Sequence, residues 1–376
     1  MCQSFYSFPF GWQSMKASPI MIMAGGTGGH IYPALAVARA LQQQSREVVW
    51  LGTHRGLEAR VIPAAGIPIE WVAVSGLRGK GVLALVLAPF RLLYALWQSL
   101  LVMWKHRPAA VLGMGGFVSG PGGLAAWLTR RPLVIHEQNA VAGLTNRLLA
   151  RLARVVLQAF PGSFNSARKA ETVGNPVRAD IASIDDPDTR LAGRQGPVRL
   201  LILGGSQGAL ALNQVVPAAL ALLPEEARPV VRHQTGERTL GDADAAYKTH
   251  GVDVSLEPFI EDMAEAYSWA DLVICRAGAL TVAEISAAGL PAIFIPFPAA
   301  VDDHQTANAG PMVAAGAAEI IQQRDINEEK LANLLRSWLG NREGLLDRAR
   351  KARAMANPDA LDRITSVCLE AAGVTT

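Results

Sequence analysis

A histidine at the end of a glycine-rich loop is the first side chain of this 376-residue chain that could do chemistry. Residues 24–30 have the sequence AGGTGGH; an apolar run precedes them, and apolar residues recur at helical spacing after them. Glycines let backbone N–H groups approach a ligand closely, and a helix N-terminus adds unpaired donors and partial positive charge. The pattern favours phosphate binding, and His30 could bind the phosphate or serve as a general base near neutral pH.

Three more glycine-containing loops lie between a strand-like run and a helix-like run. They are residues 113–121 (GMGGFVSGP), 204–208 (GGSQG) and 276–284 (RAGALTVAE). The first loop of the chain matches neither the dinucleotide fingerprint nor a P-loop. After the last loop Glu284 lies about one turn into the predicted helix, where a carboxylate can accept hydrogen bonds from both ribose hydroxyls. The alternation around these loops predicts parallel sheets with helices on both faces.

Polar residues also follow other predicted strands. The sequence HEQN at 136–139 ends one of them, where open α/β sheets bind ligands, and Glu137 is a second candidate base. Arg178 is positioned to reach a diphosphate, with a surface ion pair as the alternative. In a segment after a later strand, Gln305 could bind sugar hydroxyls, and Asp303 is expected to cap a helix.

Neither the acidic residues nor the cysteines form a metal-site pattern. Asp242 and Asp244 match the D-x-D motif with which many nucleotide-sugar enzymes hold a metal, but they lie in an Ala-rich, helix-like stretch typical of a solvated face. Cys2, Cys275 and Cys368 are scattered, which indicates no disulfide framework and favours a reducing cytoplasm. No metal or other cofactor is expected.

The chain divides into two strand–helix series at a segment rich in Asp, Gly and Pro, which predicts two domains. The predicted parts are a disordered tail at 1–17, an N-terminal domain at 18–178, a linker at 179–197, a C-terminal domain at 198–345, and C-terminal helices at 346–376 that could pack back on the N-terminal domain. The tail lacks the basic start and long apolar core of a signal peptide, and Met15 is an alternative translation start.

Charge is distributed unevenly between the two halves. Residues 1–178 contain 18 Lys and Arg against 5 Asp and Glu, a net charge of +13, while residues 179–376 contain 17 against 27, a net charge of −10. A basic half indicates an anionic partner, such as a phosphorylated substrate, an anionic membrane surface or a nucleic acid. No interleaved aromatic platform for single strands accompanies it, so no nucleic-acid partner is expected.

An apolar stretch at 82–104 contains Arg91 as its one charged residue. Its length could span a bilayer, but Pro89 and Arg91 lie near its middle, and a span would separate two parts of one sheet. A buried core helix is the second interpretation. The basic half favours a third, a membrane-surface patch of apolar residues ringed by basic ones. The residues of this predicted patch include Leu83, Leu87, Phe90, Trp97, Arg78, Lys80 and Arg91.

Seven of these motifs, taken in order, resemble the MurG family of glycosyltransferases. They are residues 25–30, 113–117, 136–139, 174–178, 204–208, 276–284 and 303–305. The 14-residue extension before Met15 departs from the family pattern. The resemblance implies a GT-B fold, in which two Rossmann-like α/β domains with parallel sheets face a cleft. It also implies the inverting transfer of N-acetylglucosamine from UDP-N-acetylglucosamine to the 4-hydroxyl of undecaprenyl-diphosphate-linked muramoyl-pentapeptide.

The resemblance further implies partners and residue roles. The partners would be the nucleotide sugar, the lipid-linked acceptor, the cytoplasmic face of the bacterial inner membrane, and cell-wall and division proteins. His30 or Glu137 would take the proton of the acceptor hydroxyl, and Gly26, His30, Gly115 and Gly116 would hold the acceptor diphosphate. The residues implied for the donor are Thr27, Gly28, Gly29, Asn139, Arg178, Ser206, Ile260, Ala279, Leu280, Thr281, Val282, Ala283, Glu284 and Gln305.

Three other functions compete with this interpretation. A soluble UDP-N-acetylglucosamine 2-epimerase shares the fold but needs no membrane patch. A non-catalytic protein that binds anionic lipid or nucleic acid would use the glycine loops only as turns. A nicotinamide dehydrogenase is disfavoured, since no G-x-G-x-x-G sequence follows the first strand.

Overall fold

The structure is a computed structural model that describes residues 18–74, 86–164, 169–205, 208–298 and 303–374. Within these residues the chain forms two α/β domains, each built on a parallel sheet. This confirms the two-domain architecture expected from the alternation of strands and helices. The predicted tail at 1–17 lies outside the described residues, as do Arg78, Lys80, Leu83 and Ser206.

The first domain has a seven-stranded sheet with the order β3-β2-β1-β4-β5-β6-β7. Its strands are β1 (Ile20–Ala24), β2 (Val48–Gly52), β3 (Ile69–Trp71), β4 (Ala110–Gly115), β5 (Leu133–Glu137), β6 (Val155–Gln158) and β7 (Glu171–Thr172). Its helices are α1 (Gly28–Gln43), α2 (Glu58–Ala64), α3 (Ala88–His106), α4 (Ser119–Leu128) and α5 (Leu144–Leu149). The strand order reverses between β1 and β4, and open α/β sheets bind ligands outside the strand ends at this point.

The second domain repeats the pattern in a six-stranded sheet with the order β10-β9-β8-β11-β12-β13. Its strands are β8 (Arg199–Leu203), β9 (Val230–Gln234), β10 (Ser255–Glu257), β11 (Leu272–Cys275), β12 (Ala292–Phe294) and β13 (Ala318–Ile320). The helices after β7 are α6 (Ala179–Ala182), α7 (Pro187–Leu191), α8 (Leu210–Ala221), α9 (Leu240–His250), α10 (Met263–Trp269), α11 (Ala279–Ala288), α12 (His304–Ala314), α13 (Glu328–Leu339), α14 (Arg342–Arg353) and α15 (Ala360–Ala371). Here the order reverses between β8 and β11.

The central strands are apolar throughout because helices cover both faces of each sheet. All five residues of β1, with the sequence IMIMA, are buried, as are the residues of β2, β4, β5 and β11. Such continuous burial is typical of parallel sheets. The sheets therefore form rigid supports, and the loops at their carboxyl ends carry the polar residues.

The segment at 179–197, predicted as a linker, is packed against the second domain. It contains α6 and α7, and Ile181 and Ile184 lie in the core of that domain. The Arg190 guanidinium donates hydrogen bonds to the carbonyl oxygens of Ala270, Ala288 and Gly289. Burial lowers the pKa of Arg190 to about 10.

The C-terminal helices divide between the two domains. Helix α14 packs against α7 and α11 of the second domain. Helix α15 packs instead against α1, and its residues Ile364, Val367 and Cys368 belong to the same hydrophobic cluster as Ile31 and Leu35. The chain therefore crosses back to the first domain between 353 and 360.

Candidate active site

A buried carboxylate shapes the first glycine loop. Glu58, at the start of α2, accepts hydrogen bonds from the backbone N–H of Gly26 (3.0 Å) and from the N–H and hydroxyl of Thr53 (3.0 and 2.7 Å). Gly26 has φ +95°, a conformation that favours glycine. Sequence reasoning missed Glu58, since an acidic residue in the first turn of a helix is common for its favourable interaction with the helix dipole.

The loop after β4 approaches the first glycine loop closely. A Cβ atom at Gly116, which has φ +83°, would lie 2.3 Å from the Gly25 carbonyl oxygen. A Cβ atom at Gly115 would lie 2.9 Å from two atoms of the His30 ring. The structure thus brings together His30, Gly115 and Gly116 at the point where the strand order of the first sheet reverses.

The His30 ring is held by the polar residues that follow β5. Its Nδ1 atom lies 2.9 Å from the Oε1 atom of Gln138. The Gln138 side chain also contacts His136, whose Nε2 atom lies 2.9 Å from the carbonyl oxygen of Gly174. His136 is fully buried, and this burial lowers its pKa to about 4. His30 itself is only partly buried.

Glu137, the alternative candidate base, is oriented differently. It is buried, and its carboxylate accepts hydrogen bonds from the backbone N–H groups of Asn139 and Gly143 and from the side-chain amides of Asn139 and Asn146. Four donors at 2.9–3.2 Å occupy both oxygens. The carboxylate therefore orders the loop before α5, and this arrangement argues against its predicted role as a base.

In the second domain, the candidate donor residues lie at the start of α11. The helix begins at Ala279 with Gly278 at its N-cap, and Val282 N–H is the first to bond back to Gly278 O. The N–H groups before it have no partner within the helix and can bind an anion. Ala279, Leu280, Thr281, Val282, Ala283 and Glu284 all lie in the first two turns of this helix.

Glu284 is partly buried, and one of its carboxylate oxygens already accepts a hydrogen bond. The hydroxyl of Tyr267 donates to its Oε2 atom at 3.1 Å. Burial raises the pKa of Glu284, although the Tyr267 hydroxyl and the nearby Arg178 guanidinium favour its charged form. Arg178 is exposed, and its Nε atom lies 3.7 Å from Asp180 Oδ1. The surface ion pair that was the alternative interpretation of Arg178 is therefore formed, at a long distance.

Two buried asparagines connect the domains beside these residues. The Asn175 amide donates to the carbonyl oxygens of Gln138 (2.9 Å) and Ala279 (3.4 Å). Asn308, on α12, accepts a hydrogen bond from Ala140 N–H (2.8 Å) and donates to Asn139 Oδ1 (3.3 Å) and to a carbonyl oxygen of the second domain. The β5 loop of the first domain is thereby joined to the start of α11.

The remaining predicted residues lie as follows. Gln305 is in the first turn of α12, and its Oε1 atom accepts a hydrogen bond from Phe297 N–H at 2.9 Å. The Ile260 side chain is buried in the second domain, in the loop between β10 and α10. Asp303 is at the N-cap of α12 with φ +49°, and its carboxylate accepts a bond from the Thr306 hydroxyl rather than a backbone N–H.

The D-x-D pair is on the surface of α9, away from the glycine loops. Asp244 pairs with Lys248 one turn later at 2.7 Å, and Asp242 is exposed. Across the described parts of the chain, no group of three or more His, Cys, Asp or Glu side chains could hold a metal ion.

An apolar surface covers one side of the first domain. Helix α3 buries Ala95, Ser99, Val102 and Met103 on one face. Its other face is exposed, and the exposed apolar side chains continue on the adjacent helices α4 and α5. They are Leu87, Phe90, Leu92, Leu93, Tyr94, Trp97, Leu101, Trp104, Trp127, Leu128, Leu144 and Leu148, which we call the apolar surface. Exposed basic residues accompany it: Arg91, Lys105, Arg107, Arg130, Arg147 and Arg151.

This arrangement corrects two interpretations of the stretch at 82–104. No helix of the described residues combines the length and the apolar composition needed to cross a membrane. The helix is also not simply a core helix, because Phe90 exposes 68% and Trp97 53% of their surface. Isolated exposed apolar residues are normal, but twelve of them on three adjoining helices, accompanied by exposed basic residues, indicate an interaction site.

Comparison with known proteins defines the class of the protein. Residues 20–158 match the model of the glycosyltransferase family 28 N-terminal domain, and residues 199–364 match that of the family 28 C-terminal domain. The crystal structure of Acinetobacter baumannii MurG is 44% identical, with a TM-score of 0.83, and the match covers 94% of this chain and 99% of that one. The chain is therefore a glycosyltransferase of the GT-B fold.

The particular family follows from the curated relatives. They include two proteins with the name UDP-N-acetylglucosamine–N-acetylmuramyl-(pentapeptide) pyrophosphoryl-undecaprenol N-acetylglucosamine transferase. The one from Alkalilimnicola ehrlichii is 60% identical, covering 94% of this chain and 99% of the relative, and the one from Marinobacter nauticus is 58% identical, covering 94% and 97%. The chain belongs to the MurG family. A UDP-GlcNAc 2-epimerase from Neisseria meningitidis, with a TM-score of 0.64 and 14% identity, shares only the fold.

Proposed function

We propose that this chain transfers N-acetylglucosamine from UDP-N-acetylglucosamine to the 4-hydroxyl of the muramyl sugar in undecaprenyl-diphosphate-linked muramoyl-pentapeptide. The observation that carries the proposal is the pair of hydrogen bonds from the Asn175 amide. They join the carbonyl oxygen of Gln138, the partner of His30, to that of Ala279 at the start of α11. The candidate base therefore stands beside the donor helix, and a direct transfer between two bound sugars needs such proximity. The names of the relatives support the same reaction.

The donor binds to the second domain. The N-terminus of α11 accepts the diphosphate through its free N–H groups and its partial positive charge. Glu284 accepts the ribose hydroxyls with the oxygen that Tyr267 leaves free, and Ile260 pairs its backbone with uracil. Arg178 approaches the diphosphate from the domain boundary, where its guanidinium already lies near Glu284.

The transferred sugar is held from α12. The Oε1 atom of Gln305 is occupied by Phe297 N–H, which leaves the amide NH2 group to donate to a sugar hydroxyl. Asn139 was expected to hold the same sugar, but its amide nitrogen donates to Glu137 and its oxygen accepts from Asn308. We therefore assign the sugar to Gln305 and the joining of the two domains to Asn139.

The acceptor reacts at the first glycine loop. His30 takes the proton of the 4-hydroxyl while that oxygen forms a bond to the anomeric carbon. On the opposite face of the carbon, the bond to the β-phosphate oxygen breaks and UDP leaves with the electron pair, so the configuration inverts. General-base help of this kind is worth about 10²–10⁴-fold. Gly26, Gly115 and Gly116 offer close backbone approach to the acceptor diphosphate, with Thr27, Gly28 and Gly29 facing the cleft.

The apolar surface brings the enzyme to its lipid-linked acceptor. Aromatic and aliphatic side chains of α3 insert into the interface of the bilayer, and the exposed basic residues beside them contact anionic headgroups. Because UDP-sugars are made in the cytoplasm, the enzyme acts as a peripheral protein on the cytoplasmic face of the inner membrane.

The test is an assay with UDP-N-acetylglucosamine and the lipid-linked acceptor in the presence of EDTA, which follows UDP release and sugar on the lipid. Acceptor-dependent transfer supports the proposal, and its survival in EDTA shows that the chemistry needs no dissociable metal. UDP release without the acceptor would indicate an epimerase or a hydrolase. Binding without turnover of either substrate would overturn the proposed reaction. The His30→Ala variant should lose most activity while still binding UDP.

A further inference from the structure

The contact between His30 and Gln138 determines which ring nitrogen carries the proton. The Nδ1 atom of His30 lies 2.9 Å from Gln138 Oε1, and Gln138 is buried. An amide oxygen can only accept a hydrogen bond. With this oxygen facing the ring, Nδ1 donates, and the lone pair of the neutral ring is on Nε2.

The orientation of the Gln138 amide is fixed by a backbone group. Its Nε2 atom donates to the carbonyl oxygen of His136 at 3.2 Å and to the Nδ1 atom of the same residue at 3.0 Å. If the amide were flipped, its oxygen would face a carbonyl oxygen, and two acceptors would repel each other. A carbonyl oxygen cannot change its role, so the amide oxygen points to His30.

His136 is itself held in one tautomer. Its Nε2 atom donates to the carbonyl oxygen of Gly174 at 2.9 Å, so its Nδ1 atom is free to accept from Gln138. The side chain is wholly buried, and burial lowers its pKa to about 4, which keeps the ring neutral at physiological pH. The proton positions are therefore determined from Gly174 through His136 and Gln138 to His30.

The close approach of Gly115 keeps the His30 ring in this position. A Cβ atom at residue 115 would lie 2.9 Å from both Nδ1 and Cε1 of the ring, so only glycine leaves room for this edge. Gly115 has φ +105°, which also favours glycine. The Nδ1 edge of the ring therefore faces the sheet.

From these contacts we infer that Gln138, oriented by His136 and the Gly174 carbonyl, is a positioning residue that holds His30 as the Nδ1–H tautomer and presents its Nε2 lone pair to the acceptor hydroxyl. The inference deepens the proposed function and rests on it for the role of His30. Because the partner is a neutral amide rather than a carboxylate, it orients the ring without placing a negative charge beside it.

The first measurement is the tautomer itself, which does not depend on activity. Long-range ¹H–¹⁵N spectra of the full-length protein with ¹⁵N-labelled histidine report the protonation of each ring nitrogen, and the His30→Gln variant assigns the signals. We expect a protonated Nδ1 and an unprotonated Nε2 in the wild type. In Gln138→Met, which cannot accept the hydrogen bond, the proton should move toward Nε2. An unchanged His30 spectrum in Gln138→Met would overturn the inference.

The second measurement uses the same variants in the transfer assay. Gln138→Met should lower kcat by roughly ten- to a hundredfold with little change in the KM for the donor, within the range of general-base help. Gln138→Glu retains an acceptor but adds a charge, so the acid limb of the kcat–pH profile should move up by about one unit. Unchanged kcat in Gln138→Met, or an unmoved acid limb in Gln138→Glu, would show that the residue does not act through His30.

A matched control separates positioning from folding. Gln158 is a buried glutamine at the end of β6, paired in register with Glu137, and it bonds Thr172 and Phe164 rather than His30. Gln158→Met makes the same chemical change at the same edge of the sheet and should leave both the His30 spectrum and kcat unchanged. If the wild type shows no transfer, the proposed function fails, while the spectra still decide whether Gln138 sets the tautomer.

Discussion

Replacing two side chains of the apolar surface should release the enzyme from membranes. Phe90 exposes 68% and Leu93 63% of their surface, both on the outer face of α3. Full burial of such a side chain is worth about 1.5–3 kcal/mol, so inserting the exposed two-thirds is worth roughly 1–2 kcal/mol per residue. The double variant Phe90→Ser with Leu93→Ser therefore loses about 2–4 kcal/mol, which corresponds to vesicle binding weaker by roughly 30- to several-hundredfold.

The assay is sedimentation with vesicles of phosphatidylglycerol and phosphatidylethanolamine, over a range of lipid and salt concentrations. Both replaced residues are exposed, so the free energy of unfolding should change by no more than about 0.5 kcal/mol. Leu222→Ser is the matched control, since Leu222 exposes 44% of its surface at the end of α8 in the second domain. It should bind vesicles as the wild type does.

Activity on a water-soluble acceptor distinguishes membrane binding from catalysis. The double variant should keep its kcat on that acceptor and lose turnover on the lipid-linked one in vesicles. Added salt should also weaken the binding of the wild type to vesicles. Each basic side chain near an anionic surface contributes about 1 kcal/mol, and salt screens this attraction. Vesicle affinity equal to that of the wild type would refute the assignment of this face of α3 to the membrane.

Three further substitutions test the contacts that position the site. Glu58→Gln replaces one carboxylate oxygen with an NH2 group, so at least one of the three hydrogen bonds that Glu58 accepts is lost. The free energy of unfolding should fall by about 1–3 kcal/mol in urea titrations; an unchanged midpoint would contradict this. Tyr267→Phe removes a hydrogen bond to the charged form of Glu284, so the pKa of Glu284, which burial already raises, should rise further. The ionised carboxylate binds ribose. As the pH is lowered, the UDP affinity measured by calorimetry should therefore begin to fall at a higher pH in the variant than in the wild type. Asn308→Ala leaves Ala140 N–H unpaired between the domains, and its amide hydrogen should exchange faster.

The architecture could be predicted from the sequence because it depends on local patterns. Continuous apolar runs such as β1, each followed by a glycine loop and a helix, predict a parallel sheet wherever they repeat. The packing of the segment at 179–197 could not be predicted in the same way, because its Asp, Gly and Pro residues are typical of a linker. What holds it to the second domain is long-range: Arg190 reaches carbonyl oxygens about 80 to 100 residues further along the chain.

That α14 packs on the second domain and α15 on the first could not be predicted for a similar reason. Helices α14 and α15 are both amphipathic, and amphipathicity shows that a helix has a buried face without showing which domain buries it. The apolar residues of α15, among them Ile364 and Val367, complete the core around α1. Contacts between residues more than three hundred positions apart in the chain are specified by the fold as a whole.

The roles of Glu137 and Gln138 follow from strand alternation once the neighbours of β5 are known. Successive side chains of a strand point to opposite faces, so Val134, His136 and Gln138 share a face. That face packs against α1, since Val134 belongs to the same hydrophobic cluster as Ile31, whereas Ile135 belongs to the cluster on the α4 side. Residues on the α1 side can reach His30, and Glu137 is on the other side. Among four adjacent polar residues, the carboxylate is the more familiar catalytic group, but the face of the strand assigns the contact with the base to the amide.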